Sequence, residues 1–310
     1  LKAYETKVNG VQSLLADLKA GKVEALVLMD VNPSYELAAS TGFNELFEKV
    51  ALKVGLVTHL NETGKRCDVV LPPHHFLENW SDSEARSGLY GLGQPTIAPL
   101  WKTESKQDYL IKLAVAAGST SLQANGSAVA WSDYLKTQWG KKVYNTNVFA
   151  SSFDAFFDSA LRKGFVDLNK SGREKVLASR KVNMAVFKGA ALTENKPGLK
   201  LVIHQSPLHG SGHSMNNPWL LEAPDPVSKI TWDNYVSVSV ATAKKNGYEE
   251  GNIVKVTTEA GTLEIPVHIQ PGTHDNVYAL AAGWGRGPEA GQVAAGPTGK
   301  GLGVDANALV

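Results

Sequence analysis

The chain has 310 residues, which is enough for two domains with substantial hydrophobic cores. With 43% hydrophobic and 20% charged residues, its composition excludes a disordered or fibrous protein. The formal net charge of +1 gives no general attraction for nucleic acid or for an anionic membrane surface. The single cysteine, Cys67, excludes an intrachain disulfide. It also excludes an iron–sulfur cluster held by this chain alone, because such a cluster typically needs four thiolates.

The first third of the sequence alternates between helical and strand-like patterns. Residues 11–19 and 43–50 carry apolar side chains at helical spacing. Short apolar runs typical of buried strands occupy residues 24–29, 54–59 and 69–71. Strands that alternate with helices at this spacing indicate βα units on a parallel sheet. We therefore predict a parallel-sheet α/β domain over residues 1–117.

The pattern changes between residues 118 and 198. Residues 131–139 and 153–163 look helical and are joined by polar loops, one of them at 145–147. Residues 173–188 are basic and weakly periodic. Such a charged face could dock a partner, although charged helical faces are usually solvated. We predict a helical insert or linker over residues 118–198.

From residue 199 onward the sequence is rich in strands and turns. Alternating apolar runs occupy residues 236–240, 253–256, 263–269 and 277–281, and a short helical pattern over 241–247 ends at its glycine. The glycines between residues 283 and 303 are expected in tight turns that need a positive φ. We predict a second, compact β domain over residues 199–310.

Three histidines share one loop of this second domain. His204, His209 and His213 are neutral imidazoles of the kind that zinc binds. However, no regular spacing puts them on one face, and the loop contains no carboxylate. Histidines in turns or interfaces are the favoured interpretation, and we predict no metal site.

Catalytic motifs are poorly supported elsewhere. Glu78, Asp82 and Glu84 could supply a carboxylate pair for general acid–base chemistry, but a solvated loop is the favoured interpretation. The sequence has no G-x-S-x-G elbow and no G-x-G-x-x-G loop, and Gly301 stands where a P-loop needs Ser or Thr. We predict no catalytic residue in this chain.

Five motifs nevertheless follow one another in a specific order. They are Asn32-Pro33 after the first strand, Glu62-Thr63 with residues 67–72, residues 75–82, residues 94–100, and residues 217–226 leading into Trp232-Asp233-Asn234. In this order they resemble the motifs of the molybdopterin oxidoreductase superfamily, in particular its polysulfide-reductase-like branch. Within that branch, the chain resembles the middle portion of the large molybdopterin-like, iron–sulfur subunit of bacterial alternative complex III. That complex is a respiratory assembly that oxidises quinol.

The resemblance implies a fold and a role. Residues 199–310 would form a double-psi β-barrel of the molybdopterin-dinucleotide-binding kind, following the parallel-sheet α/β domain. The chain would be a structural, cofactor-free part of the complex. It would scaffold iron–sulfur clusters and haem c subunits beside integral membrane quinol-binding subunits, with no nucleic acid partner. It would belong to an oxidoreductase complex without being catalytic itself.

The resemblance also implies a location and a larger context. We expect the chain on the periplasmic side of the bacterial inner membrane, as a peripheral component. We also expect it to be an internal or processed piece of a longer protein.

In members of the family that bind the cofactor, loops of the barrel contact the pterin dinucleotide. Carried over by position, these contacts fall on His204, His213, Trp232, Asn234 and Asn307. Amide and imidazole donors in glycine-rich loops can approach a pyrophosphate closely. The likeness to alternative complex III implies that these five residues are remnants of a vestigial pterin pocket. We therefore expect no pterin and no metal in this chain.

Two other functions stay open. The chain could be the cofactor-binding half of a catalytic molybdopterin enzyme, such as a polysulfide or thiosulfate reductase. Molybdenum or tungsten in the full-length protein would favour that enzyme. Alternatively, the chain could be a stand-alone binding protein for a small ligand, which would fold and stay monomeric without partners.

Overall fold

The computed structural model describes residues 10–144, 152–168 and 198–310. These residues form two compact units, which are treated separately below. The middle unit comprises residues 71–144 and 152–168. The other unit joins the N-terminal α/β segment, residues 10–70, to the C-terminal β segment, residues 198–310. The three-part division at residues 117 and 198 follows the sequence pattern and stays a prediction.

Helices and short strands alternate along the described chain. The helices are α1 (Gly10–Lys19), α2 (Pro33–Glu36), α3 (Phe43–Phe47), α4 (Lys106–Ala116), α5 (Trp131–Lys142), α6 (Phe153–Lys163), α7 (Pro218–Glu222), α8 (Val240–Asn246) and α9 (Gln292–Ala295). The strands are β1 (Ala25–Met29), β2 (Leu52–Leu56), β3 (Val69–Leu71), β4 (Ser81–Arg86), β5 (Leu89–Gly93), β6 (Gln123–Ala124), β7 (Ser127–Ala128), β8 (Phe165–Asp167), β9 (Lys200–Gln205), β10 (Val236–Val238), β11 (Ile253–Thr257), β12 (Thr262–Ile269) and β13 (Val277–Ala282). Among these helices, none is long and apolar enough to cross a membrane.

The N-terminal α/β segment is built on a three-stranded sheet. Its strand order is β1-β2-β3, and β1 runs parallel to β2 with Val27 opposite Val54. Helices α1 and α3 bury apolar side chains with the sheet, and Leu18, Leu28 and Phe47 are at most 6% exposed. The parallel pairing places the carboxyl ends of β1 and β2 at the same edge of the sheet. This edge carries the residues of the site described below.

The C-terminal β segment is built on a five-stranded mixed sheet with the order β11-β12-β10-β13-β9. Strand β10 runs parallel to β12 and antiparallel to β13, while β13 runs parallel to β9. The hydrophobic core of this segment includes the side chains of Val236, Val238, Ile265 and Leu280, which are fully buried. Their alternation along the strands places one side chain in two against this core. The predicted strands of this region are therefore confirmed.

Helix α8 shows how local sequence sets an element in this segment. The Ser239 side chain accepts a hydrogen bond from the Thr242 backbone N–H at 3.0 Å, which caps the first turn. The helix ends at Gly247, whose φ of 70° suits a residue without a side chain. The predicted short helix and its glycine stop are both confirmed.

The middle unit contains an antiparallel sheet with the order β4-β5-β8. This arrangement corrects the prediction that βα units continue to residue 117, because β4 and β5 form a hairpin. The sheet and helices α5 and α6 bury an aromatic core around Trp139, Phe156 and Phe157. The indole N–H of Trp139 donates to the Asp82 carboxylate at 3.0 Å.

The interpretation of Glu78 as part of a solvated loop is wrong. Glu78 is 6% exposed, and its carboxylate accepts hydrogen bonds from the backbone N–H groups of His75 and Leu100. These bonds connect the turn at Phe76–Glu78 to the loop after β5. The carboxylate is therefore a structural acceptor. The predicted polar loop at 145–147 and the basic stretch at 173–188 lie outside the described residues.

The mixed sheet predicts a large cost for truncating its core. Leu280→Ala is expected to lower the free energy of unfolding by about 3 kcal/mol, because a fully buried leucine loses its contacts and leaves a cavity. Leu199→Ala is the matched control, since Leu199 is 69% exposed, and it should cost at most about 0.5 kcal/mol. Urea unfolding followed by tryptophan fluorescence measures both. Equal losses would contradict this account of the core.

Candidate functional site

A small pocket lies in the C-terminal β segment, where the loop after β9 meets the loop before β10. Its lining includes Ser206, His209, Trp232, Asn234 and Trp284. The cavity has a volume of about 30 Å³. This is room for about two water molecules. Three of the five residues that the resemblance implies as pterin contacts, His204, Trp232 and Asn234, line this pocket.

His209 is the most unusual residue of the pocket. Its side chain is 2% exposed, and its ring stands edge-on to that of Trp284 with centroids 5.4 Å apart. The buried Nδ1 atom has no hydrogen-bond partner within the described residues. Burial lowers the pKa of His209 below its ordinary value, because an apolar surrounding disfavours the charged imidazolium. The ring is therefore neutral at physiological pH.

Asn234 is fully engaged with its own backbone surroundings. Its side-chain amide donates to the carbonyl oxygens of Ala281 and Val304 at 3.2 and 2.9 Å. Its side-chain oxygen accepts from the Val304 N–H at 2.9 Å. Asn234 is 1% exposed, so the loop near residue 304 is fixed to the end of β13 through this one side chain. Its role in the structure is to connect strands and loops.

The two residues before Asn234 shape the mouth of the pocket. Trp232 has a positive φ of 63° and remains 39% exposed. A bulky residue in this backbone region is strained unless the surroundings hold it. The Asp233 carboxylate accepts from the Asn234 backbone N–H at 2.8 Å, and burial raises the pKa of Asp233.

The remaining candidates lie in different surroundings. His204 is exposed, and its Nδ1 lies 3.0 Å from the Gln205 carbonyl oxygen. His213 is exposed and is absent from the lining of the pocket. Asn307 is half-buried, and its amide donates to the Tyr35 carbonyl oxygen at 3.0 Å. Among the described residues, no group of three or more His, Cys, Asp or Glu side chains could hold a metal ion.

A second polar cluster lies at the carboxyl ends of β1 and β2. Asn32 follows β1, and its amide donates to the Glu62 carboxylate at 2.8 Å. The Asn32 side-chain oxygen accepts from both the backbone N–H and the hydroxyl of Thr63. All three residues are at most 9% exposed. We call these residues, together with Tyr35 and Arg286, the crevice network.

Arg286 enters the crevice network from the glycine-rich loop of the C-terminal β segment. Its Nε donates to Glu62 at 2.9 Å, and its Nη2 donates to the other carboxylate oxygen. Its Nη1 donates to the Gly212 carbonyl oxygen. The guanidinium lies over the Tyr35 ring, with 4.9 Å between its central carbon and the ring centroid. Arg286 is 3% exposed, so this two-point pairing occurs away from water.

The electrostatics of the crevice network follow from burial and pairing. Burial alone would raise the pKa of Glu62, but hydrogen bonds and charge from Arg286, with the Asn32 amide, lower the pKa below its ordinary value. Burial raises the pKa of Tyr35 strongly and also raises that of Asp305. The Tyr35 hydroxyl donates to the Trp284 carbonyl oxygen at 2.7 Å. The network therefore holds one ionised carboxylate opposite one guanidinium.

The glycine-rich loop packs its backbone directly against neighbouring backbone. Gly285 has a φ of 70°, and an added Cβ would collide with the Asp305 N–H and the Val304 carbonyl carbon. Gly303 has a φ of 64°, and an added Cβ would collide with the Asn234 side chain. Glycine is needed at both positions because of the close approach as well as the positive φ. The predicted positive φ is confirmed for the glycines between residues 283 and 303 except Gly287, whose φ is −74°.

Motif positions indicated which residues matter, but sequence reasoning missed how they meet. Asn32 and Glu62 belonged to two separate motifs, and Arg286 was part of a glycine-rich run. One signal was available: an arginine flanked by glycines can be buried only if a carboxylate accompanies it. Nothing in the sequence identified Glu62 as that carboxylate.

In the arrangement that the structure describes, these residues do not fit a pterin dinucleotide. The side-chain amides of Asn234 and Asn307 are bonded to backbone carbonyl oxygens. The buried guanidinium of Arg286, the group best suited to a pyrophosphate, is paired with Glu62. The pocket at His209 is far smaller than a dinucleotide. The Nδ1 atom of His209, which has no hydrogen-bond partner within the described residues, is suited to a ligand.

The bonds of Asn234 predict that its amide cannot be replaced by a carboxylate. Asn234→Asp would set an oxygen against the carbonyl oxygens of Ala281 and Val304, and should lower the free energy of unfolding by about 3 kcal/mol. Asn276→Asp is the control, because Asn276 is exposed, and it should change the free energy by less than about 0.5 kcal/mol. Urea denaturation measures both changes. A harmless Asn234→Asp would refute the assigned role.

The neutral state of His209 predicts a pH dependence of stability. Below about pH 6.5 the unfolded chain takes up a proton at this residue that the folded chain does not, because its folded pKa is lowered. The contribution of the neutral His209 ring to the free energy of unfolding is therefore fully present above that pH. It is lost as the pH is lowered toward the folded pKa. His209→Gln should make the melting temperature depend less on pH between about pH 6.5 and 5. The exposed control, His213→Gln, should keep the wild-type slope. Identical slopes in both variants would argue against a buried neutral ring.

The sequence of this chain is similar to the sequences of known proteins. Residues 209–310 match the family described as the molydopterin dinucleotide binding domain. The chain is 26% identical over 291 residues to the menaquinone reductase, molybdopterin-binding-like subunit of Nitratidesulfovibrio vulgaris. This alignment covers 88% of the chain and 37% of that protein.

A solved structure shares the fold at low sequence identity. Acetylene hydratase from Pelobacter acetylenicus matches 96% of the chain with a TM-score of 0.56 and 17% identity. The chain spans 42% of that protein, so it corresponds to about two fifths of each of these two relatives. The predicted fold class, a parallel-sheet α/β part followed by a barrel-like β domain, is confirmed. Residues 209–310 thus match the molydopterin dinucleotide binding domain, and most of the chain is similar in sequence to a molybdopterin-binding-like subunit.

Proposed function

We propose that this chain is a structural, cofactor-free part of a respiratory quinone-linked electron-transfer complex of the alternative complex III kind. The similarity to a menaquinone reductase subunit supports the link to quinone. The crevice network supports the proposed absence of a cofactor. The ion pair of Arg286 and Glu62 occupies the edge of the sheet where a ligand would bind.

In this proposal the chain supports redox centres that other parts of the complex hold. Its single cysteine falls short of the four thiolates that an iron–sulfur cluster typically needs. The proposed partners are a cluster-bearing iron–sulfur segment, cytochrome c subunits and integral membrane quinol-binding subunits. The proposed site of assembly is the periplasmic face of the bacterial inner membrane, where the chain would be peripheral. The contribution of this chain is shape and rigidity.

One alternative is supported by a specific observation. The free Nδ1 of His209, at a pocket of the molydopterin dinucleotide binding domain, suits a catalytic molybdopterin enzyme of which this chain is the cofactor-binding half. In that case His209 would offer a hydrogen bond to the pterin dinucleotide. The crevice network and the bonded amides of Asn234 and Asn307 weigh against it. The stand-alone binding protein has weaker support, because a pocket of about 30 Å³ takes little more than water.

Analysis of the full-length protein in its complex tests the proposal. We expect less than about one tenth of a molybdenum or tungsten atom per chain by mass spectrometry, because the groups that would hold the pterin are bonded within the protein. Oxidative extraction should likewise give no pterin fluorescence. One metal atom and two pterins per chain would favour the catalytic alternative. A chain that purifies alone as a stable monomer from its native membrane would contradict the assembly itself.

A further inference from the structure

The carboxyl ends of parallel strands are where α/β folds bind ligands. In open α/β sheets, ligands bind outside the carboxyl ends of the strands, among the loops that leave them. In this chain the loops after β1 and β2 carry Asn32 and Glu62 to this edge. Arg286 then reaches into the same place from the C-terminal β segment. This edge of the sheet is therefore occupied by the protein's own side chains.

The contacts of Arg286 satisfy most of its hydrogen-bonding capacity. Three of its nitrogen atoms donate, two to the Glu62 carboxylate and one to the Gly212 carbonyl oxygen. The guanidinium face is covered by the Tyr35 ring. An arginine paired in this planar, two-point way is the group that proteins use to bind carboxylate or phosphate. Here the bound anion is an internal one.

Glu62 occupies the position of the anion beside Arg286 and is itself held by several hydrogen bonds. Both of its carboxylate oxygens accept from Arg286, and one also accepts from the Asn32 amide. Glu62 is 9% exposed, so water has little access to this carboxylate. Removing the carboxylate would leave a buried cation beside a hole of the size of a small anion.

We propose that Arg286 and Glu62 form an internal plug of the ligand crevice, in which the Glu62 carboxylate stands in for a bound anionic group. This inference rests on the proposed cofactor-free function and deepens it, since it names the groups that take the ligand's place. The class of ligand that the plug excludes is a small carboxylate or a phosphate. The plug also joins the N-terminal α/β segment to the glycine-rich loop.

Chemical rescue in the full-length protein tests the plug. Glu62→Ala should lower the melting temperature, and about 50 mM sodium formate should restore at least about 3 °C of the loss by binding to Arg286. Sodium chloride at equal ionic strength serves as the reference. The wild type should show no response to formate. Glu48→Ala is the matched control, because Glu48 pairs with Arg66 at 2.8 Å but is 54% exposed, and it should show no rescue.

Two further variants make the outcome decisive. Adding Arg286→Met to Glu62→Ala should abolish the response to formate, because the anion then lacks its cation. If Glu62→Ala fails to fold, the isosteric Glu62→Gln is used with hydrogen–deuterium exchange. Exchange of peptides that span residues 32–36 and 283–288 should then be at least tenfold faster than in the wild type, with peptides that span 253–269 unchanged.

The plug and the proposed function fail in different measurements. A folded Glu62→Ala protein without a formate response would overturn the plug, as would unchanged exchange in Glu62→Gln. Neither result would bear on the cofactor content of the wild type. Conversely, pterin or molybdenum in the wild-type protein would overturn the cofactor-free function, whatever the variants show.

Discussion

The ion pair between Arg286 and Glu62 is the contact on which the arrangement of the N-terminal α/β segment and the C-terminal β segment depends. The two residues are 224 positions apart in the chain and are 3% and 9% exposed. Taking both charges out of water costs several kcal/mol for each ion. The pair persists because Asn32 and the Gly212 carbonyl oxygen supply further hydrogen bonds to the two charged groups. Removing any one of these partners would lower the free energy of unfolding, because a buried charged group would lose part of its compensation.

Apolar burial in the same unit is strong but does not by itself select one arrangement. The core under β10 and β13 and the core between α1, α3 and β1 are separate clusters. Hydrophobic contact has no direction, whereas a two-point arginine–carboxylate pair fixes both distance and orientation. Tyr35 adds a second fixed point, since its hydroxyl donates to Trp284 and its carbonyl oxygen accepts from Asn307. These polar contacts therefore set how the two segments of this unit meet.

Local patterns in the sequence predicted the elements whose determinants are close together in the chain. The alternation along β11, β12 and β13 and the glycine stop of α8 are of this kind. The hairpin of β4 and β5 was missed because Ser81–Arg86 is polar and mostly exposed on both faces, which leaves no alternation to read. Its third strand, β8, comes from residues 165–167, and a pairing that distant leaves no local trace. The burial of Glu78 was missed for a similar reason, since Leu100 supplies one of its donors.

The same difference between nearby and distant determinants applies to the candidate site. A motif identifies a position such as Asn234, but whether its amide is free or bonded depends on Ala281 and Val304, some 47 and 70 residues away. A ligand that binds between two segments contributes its binding energy to their association, and without it the segments need another source. In this unit the crevice network is such a source, because its polar groups are satisfied within the protein. The same satisfaction opposes later uptake of an anion, since the incoming group would have to displace the Glu62 carboxylate from a guanidinium that water barely reaches.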